Sequence, residues 1–393
     1  MYNRTKDVFL FGFAELYHRQ APIVVAELGT SHQGDLMRGF ELIDAASDAG
    51  AHVAKFQVIF AEEILPPEAG SVQLPGGAVP LFKVFKSLER PAKFYAALKE
   101  RALSRGLEFL ATPFGKKGFE LLEEIGVAAW KIASPELNHE DLLETLARTG
   151  KPLILSTGVS KIEDIRRALE IVENAFRGEG QQSVALLHCL TSYPAPENQA
   201  NLRTIQTLRK IFNRPAGISD HSRHTVLIPA LASALGAAII EKHITLSHGA
   251  GGLDDPIALN PEEFARMCAV VTRYAPPREQ GFEAPELHLV STIEELAREY
   301  GRERVEAPLG NGMKCLARSE IANYRRSNRS LHAIGALPVG TVLSEKNGAI
   351  LRTEHNLRPG IEPRYRRRAY GRRLANSIPP GEGIRWEDLE QAK

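Results

Sequence analysis

Cysteine is scarce in this sequence: Cys189, Cys268 and Cys315 are the three it has. They are odd in number, far apart and without a C-x-x-C spacing, which argues against a disulfide framework or a thiolate zinc site and for a reducing, cytoplasmic location. An excess of one charge is also missing. With 49 Lys and Arg against 48 Asp and Glu, the formal net charge is +1, so the chain as a whole offers neither nucleic acid nor a membrane surface a reason to bind. Long hydrophobic runs are absent as well. A long uncharged and strongly apolar stretch, "TVLIPALASALGAAII" over 225–240, contains Pro229 and falls short of the ~20 residues that span a bilayer; it reads as a buried helix feeding a strand. The N-terminal "MYNRTKDVFLFGFAELYHRQ" has only a short apolar patch and no small-residue cleavage site after it, so no signal peptide is expected.

What the chain does have is a repeating alternation. Short apolar, β-branched runs occur at 23–29, 52–58, 107–114, 128–134, 152–158, 184–190, 216–220 and 238–246, separated by segments of helical period such as "KIEDIRRALEIVENAF". Eight such βα units within about 250 residues predict a (β/α)8 barrel of the TIM type. The rival, a doubly wound open sheet, lacks a Gly-rich dinucleotide fingerprint after its first strand. We expect the barrel over 1–280, a linker over 281–315, and a small β-rich module over 316–393, where Gly and Pro recur every few residues. A core that small is marginal alone and should pack on another surface.

In a barrel of this kind the chemistry sits at the C-terminal ends of the strands. Those ends carry Glu27; Lys55 and Gln57; Thr112; Lys131 and Ser134; Ser156 and Thr157; Thr191, Ser192 and Tyr193; Ser219, Asp220 and His221; and Glu241, Lys242 and His243. The last group is unusual, because "AIIEKHITLS" runs three ionisable residues straight out of a core strand, and buried charge is costly unless paired, bound to metal or facing a wet site. Two lysines beside a ring of hydroxyls form a site for a phosphate that carries a second anion, with salt bridges to Glu27 and Glu241 as the alternative use. His221 and His243, ending neighbouring strands, can converge on a divalent metal of the manganese, zinc, cobalt or iron kind. His188 and Cys189 read as packed or inward-facing, with no nucleophile role. His32 reads as a loop residue, solvated or touching substrate, and the arginine-rich "PRYRRRAYGRR" as a solvated or subunit-facing stretch.

The segments "VAELGTSHQGD", "AKFQ", "FLATPF", "WKIASPEL", "KPLILSTG", "LLHCLTSYPAP", "GISDH", "GAAIIEKHITL", "RSLHA" and "LRPG" occur in this order along almost the whole chain. Together they resemble the sialic acid synthases, the family that includes N-acetylneuraminate, legionaminate and pseudaminate synthases. The resemblance implies a (β/α)8 barrel followed by an antifreeze-like SAF domain, assembled as a domain-swapped homodimer. It implies condensation of phosphoenolpyruvate with an N-acetylmannosamine-like amino-sugar to a nine-carbon 2-keto acid and phosphate.

By the same resemblance, Lys55, Thr112, Lys131, Ser134, Ser156 and Ser219 hold phosphoenolpyruvate, with Gln57, Thr191 and Tyr193 lining the substrate site. His221 and His243 hold manganese, with magnesium or cobalt as alternatives. Glu27 and Asp254 match acids that bind the sugar or assist the chemistry, with Glu27 or Glu241 as general base, and Arg329 matches an arginine sent into the partner's site. The departures from the family fall on the sugar side: Ser31-His32-Gln33-Gly34 stands where the family usually has Asn-His-Asn-Gly, Thr191 where it has Asn, and Asp255 and Ala258 where its pattern is nearer GPDHxAS.

Overall fold

The computed structural model describes residues 21–74, 77–277, 286–354 and 356–391. The N-terminal stretch read as lacking a signal, and residues 281–285 of the expected linker, lie outside them.

All eight expected strands are present. In chain order the strands are β1 Ile23–Gly29, β2 Val53–Val58, a short antiparallel hairpin of β3 Ser71–Leu74 and β4 Gly77–Pro80 that the alternation did not announce, β5 Glu108–Pro113, β6 Trp130–Ile132, β7 Leu153–Ser156, β8 Val184–Cys189, β9 Ala216–Asp220 and β10 Ile239–His243. Apart from the hairpin they are parallel and ordered β5-β2-β1-β10-β9-β8-β7-β6. The end strands β5 and β6 lie against each other and close the ring, which excludes the open sheet.

Side chains alternate across a strand, and in a barrel that alternation divides inside from outside. Val25, Val53, Leu110, Ile154, Leu187 and Ile239 form an apolar plug inside the ring. Their neighbours Val24, Ala54, Phe109, Leu155, Leu186 and Ile240 belong to the larger core under the helices. Past the plug the inward positions turn polar, and there the candidate site begins. The helix Leu227–Ala234 is buried along its whole length, as its uncharged sequence predicts; Pro229 sits in its first turn, where a missing N–H costs little.

The expected linker is largely part of the barrel. Helix Glu286–Tyr300 puts Leu289, Ile293 and Leu296 into the large core, and Val305 and Leu309 follow them. The 4-then-3 spacing of those three residues is a helical stripe that the surrounding Glu and Arg obscure.

In the C-terminal module, β11 Arg329–Ala333 pairs antiparallel with β12 Gly348–Arg352 over a small core of its own that includes Leu331, Leu343, Leu374 and Ile384. The module packs on the barrel around Glu136, in the turn after β6, which is fully buried. Arg352 grips both its oxygens at 2.8 Å, and Arg329 binds one of them at 3.0 Å. Removing one member of a buried ion cluster strands the others, so Glu136→Ala is expected to cost about 3–5 kcal/mol in urea unfolding. A loss below about 1 kcal/mol, the value of an exposed pair, would overturn that reading.

Candidate active site

The inward parity of the strands selects which ionisable residues meet. Glu27 on β1, Lys55 and Gln57 on β2, Thr112 on β5, Lys131 on β6, Ser156 on β7, Cys189 on β8, Ser219 on β9, and Glu241 and His243 on β10 share the parity of the apolar plug. Lys242, between the last two, has the opposite parity. It is 1% exposed and pairs with Asp220 Oδ2 at 2.6 Å under the helices. The charged strand end therefore splits in two: Glu241 and His243 face the ring, while Lys242 belongs to a structural ion pair.

Inside the ring the two lysines are neutralised by two acids. Lys55 Nζ contacts the Glu27 carboxylate and lies 3.4 Å from Glu241 Oε1. Lys131 Nζ donates to Ser156 Oγ at 2.6 Å and lies 3.7 Å from the same Glu241 oxygen, which also accepts from Ser219 Oγ at 2.8 Å. Gln57 Nε2 donates to Glu27 Oε1 at 3.4 Å, and Ser134 Oγ accepts from the Gly158 N–H at 3.0 Å. Burial alone would raise the Glu241 pKa, but Lys131, Lys55 and the Ser219 hydroxyl hold it down to about 2. Burial also pulls Lys55 down to about 8, with Lys131 adding to the effect and Glu241 opposing it.

Several polar atoms in this ring have nothing to bind. Thr112 Oγ1, Thr191 Oγ1, Glu241 Oε2 and His243 Nδ1 are buried without a hydrogen-bond partner. Unsatisfied buried groups are costly, and their concentration at one end of the barrel is the signature of a ligand site. Gly29 accounts for part of the close packing there. Its φ of +45° follows the register shift after Glu27, and a Cβ on it would stand 3.0 Å from Glu27 Oε1 and 3.2 Å from Asp254 Oδ2.

His221 and His243 lie with ring centroids 5.6 Å apart, and the Tyr193 ring stacks on His221 at 4.2 Å. His221 Nδ1 is 2.7 Å from the Leu190 carbonyl, an arrangement that places its proton on Nδ1 and leaves Nε2 free as a ligand. His243 Nδ1 has Asp254 Oδ2 3.8 Å away. Burial tends to lower His221, but the Cys189 sulfur, the Leu190 carbonyl and Asp220 outweigh it and hold the imidazole up at about 9. Burial, with the charge of His221 added, pushes His243 well below the ordinary range. At neutral pH His221 therefore holds a proton that a divalent cation would have to displace, while His243 is neutral. A divalent cation held by two neutral imidazoles fits that donor set. Among the described residues no group of three or more His, Cys, Asp or Glu is arranged around one point.

Other expected residues are placed differently. His32 is neither solvated nor turned to the ring: it is buried between Phe56 and Phe94 and accepts the Gly34 N–H. His188 faces outward to the Ala200 carbonyl, whereas Cys189, read as a small hydrophobe, faces inward with its sulfur 3.7 Å from His221 Nδ1. Thr157 spends its hydroxyl on the Leu187 carbonyl. In the single chain Arg329 is bound to Glu136 and to the carbonyls of Glu63 and Phe114. Asp255, a departure from the family pattern, is fully buried and accepts from Ser31 Oγ at 2.7 Å and Gly252 N at 2.6 Å, pinning the loop after β1 to the loop that carries Asp254.

The model of the NeuB family matches residues 42–279 and that of the SAF domain matches 328–390. The chain is similar over 96% of its length to the crystal structure of the spore coat polysaccharide biosynthesis protein SpsE of Bacillus subtilis, with 98% of that chain covered, 31% identity and a TM-score of 0.75. Over 65% of its length it is similar to the N-acetylneuraminic acid synthetase of Leptospira borgpetersenii in complex with citrate, with 84% of that chain covered, 36% identity and a TM-score of 0.57. It is also 30% identical to the N,N'-diacetyllegionaminic acid synthase of Campylobacter jejuni, over 83% of this chain and 88% of that protein.

Proposed function

This chain belongs to the NeuB family of nonulosonic acid synthases and carries its SAF domain; from that premise we propose that it condenses phosphoenolpyruvate with an N-acetylmannosamine-like amino-sugar to give a nine-carbon 2-keto acid and phosphate. The observation that carries this reading is the buried ring itself. Lys55 and Lys131 wait beside unpartnered hydroxyls with Glu27 and Glu241 standing in for the anion.

Phosphoenolpyruvate replaces those carboxylates with its own phosphate and carboxylate, each lysine giving a charge-assisted bond and Thr112, Ser134, Ser156 and Ser219 completing the shell. The lysines fix C3 of the enol toward the aldehyde carbon. As that bond forms, the aldehyde oxygen becomes an alkoxide and positive charge develops at C2; water adds at C2, losing a proton to Glu27 or Glu241 once these are displaced from the lysines, and that proton passes on to the alkoxide. The resulting tetrahedral carbon expels phosphate and leaves the 2-keto acid. His221 and His243 would hold manganese or a similar ion, which when bound polarises the aldehyde oxygen. A homodimer belongs to the same proposal and is checked by light scattering. The domain-swapped arrangement, with Arg329 reaching into the partner's site, belongs to the same proposal.

The test is phosphate release from phosphoenolpyruvate across a panel of amino-sugars with added manganese. Because Ser31-His32-Gln33-Gly34, Thr191, Asp255 and Ala258 depart from the family on the sugar side, another acceptor of the panel is expected to exceed N-acetylmannosamine. N-acetylmannosamine as the best substrate would overturn that expectation. The anion site also predicts a pH dependence. Lys55 carries its charge below about 8 and loses it above, so affinity for phosphoenolpyruvate is expected to weaken as pH rises from 7 to 9.5, by up to about tenfold per unit past the midpoint. Calorimetry that shows flat affinity across that range would remove Lys55 from the site.

A further inference from the structure

The mouth of the barrel is tied to the segment that enters the C-terminal module through one buried carboxylate. Glu320 is 1% exposed. Its Oε1 accepts the backbone N–H of Val159 at 2.8 Å and that of Thr191 at 2.9 Å, and its Oε2 accepts the Ala317 N–H at 3.2 Å. The carbonyls of the same two residues are held by the same segment: Asn323 Nδ2 donates to Thr191 O at 2.9 Å and Asn328 Nδ2 to Val159 O at 3.3 Å. Val159 and Thr191 come from the loops after β7 and β8, and each is gripped at both its N–H and its carbonyl.

What the grip sets is close to the anion ring. A Cβ on Gly158 would stand 2.4 Å from Thr191 Oγ1 and 2.9 Å from Ser134 Oγ, so these three groups meet at one point, and Thr191 Oγ1 is buried there without a partner. Val159 has a φ of +41°, a left-handed conformation that a β-branched residue adopts only when its surroundings impose it. The bond from its N–H to Glu320 supplies that imposition.

We propose that Glu320 is a positioning residue for the condensation: it holds the Gly158–Val159 turn and Thr191 in register, so that the Thr191 hydroxyl stands against Ser134 on the substrate side. The proposal rests on the function proposed above. In chemical terms, the segment entering the C-terminal module shapes the wall formed by the loops after β6, β7 and β8.

Glu320→Gln keeps the shape of the side chain but turns an NH2 toward one of the donors. It is expected to lower kcat/KM for phosphoenolpyruvate about 10- to 100-fold, as a misplacement near 1 Å does, in protein that remains folded at the assay temperature, and with faster hydrogen exchange at the Val159 and Thr191 amides. Thr191→Val removes only the hydroxyl, and the double variant is expected to lose little more than the worse single. Asn323→Ala, which frees one carbonyl, should give a smaller loss in the same direction and serves if Glu320→Gln does not fold. Unchanged exchange at both amides, full additivity of the two losses, or a loss of activity matched by the fraction unfolded would each overturn the proposal. Hydrogen exchange needs no substrate. If the unmodified protein released no phosphate with any acceptor, the condensation would fail while Glu320 was still being tested.

Discussion

His243→Ala is expected to lower turnover about a thousandfold while costing only about 1–2 kcal/mol of stability. His243 Nδ1 makes no hydrogen bond, so truncation breaks no network, whereas a metal ligand lost at an alkoxide-forming step forfeits several kcal/mol, at about 1.4 kcal/mol per tenfold in rate. The same reasoning holds for the metal. Chelation is expected to abolish phosphate release, manganese to restore it, and calorimetry to show manganese binding to the parent protein but not to His243→Ala. Full activity after chelation would eliminate the metal, and equal losses of turnover and folding would mark His243 as a packing residue.

Lys131→Met is the second large effect. The methionine keeps most of the volume of the side chain but removes the charge that faces Ser156 and Glu241. A hydrogen bond to a charged group contributes about 1.5–3 kcal/mol, so affinity for phosphoenolpyruvate is expected to fall about 10- to 100-fold by calorimetry. Lys55→Met should behave alike. Unchanged affinity in both variants would refute the anion site. Glu241 would keep one lysine in either variant, so the protein should fold and the affinity be measurable.

The alternation of apolar runs and helical stripes contained the barrel, because a strand buried on both faces needs an apolar sequence whatever its neighbours are. The same alternation, read one residue at a time, also divides the inside of the barrel from the outside. The parity of Val25 and Glu27, or of Ile239, Glu241 and His243, separates the ring-facing residues from Lys242. His188 and Cys189 divide in the same way, and Asp220 falls outside with Lys242. His32 was less legible, since a histidine in a loop has no period to place it, and only the approach of Phe94 shows that it is buried.

By itself, then, the sequence determined the fold class, the family and the set of polar strand ends, since local pattern and ordered motifs are properties of the chain alone. The tertiary structure decided which of those side chains share a space. The Glu27–Lys55–Glu241–Lys131 ring joins four strands, Glu136 takes arginines from a module some 200 residues away, and Glu320 reaches back to two loops. A buried charge settles where the fold supplies its partner, and that partner is set by barrel closure and domain packing, not by nearness along the chain.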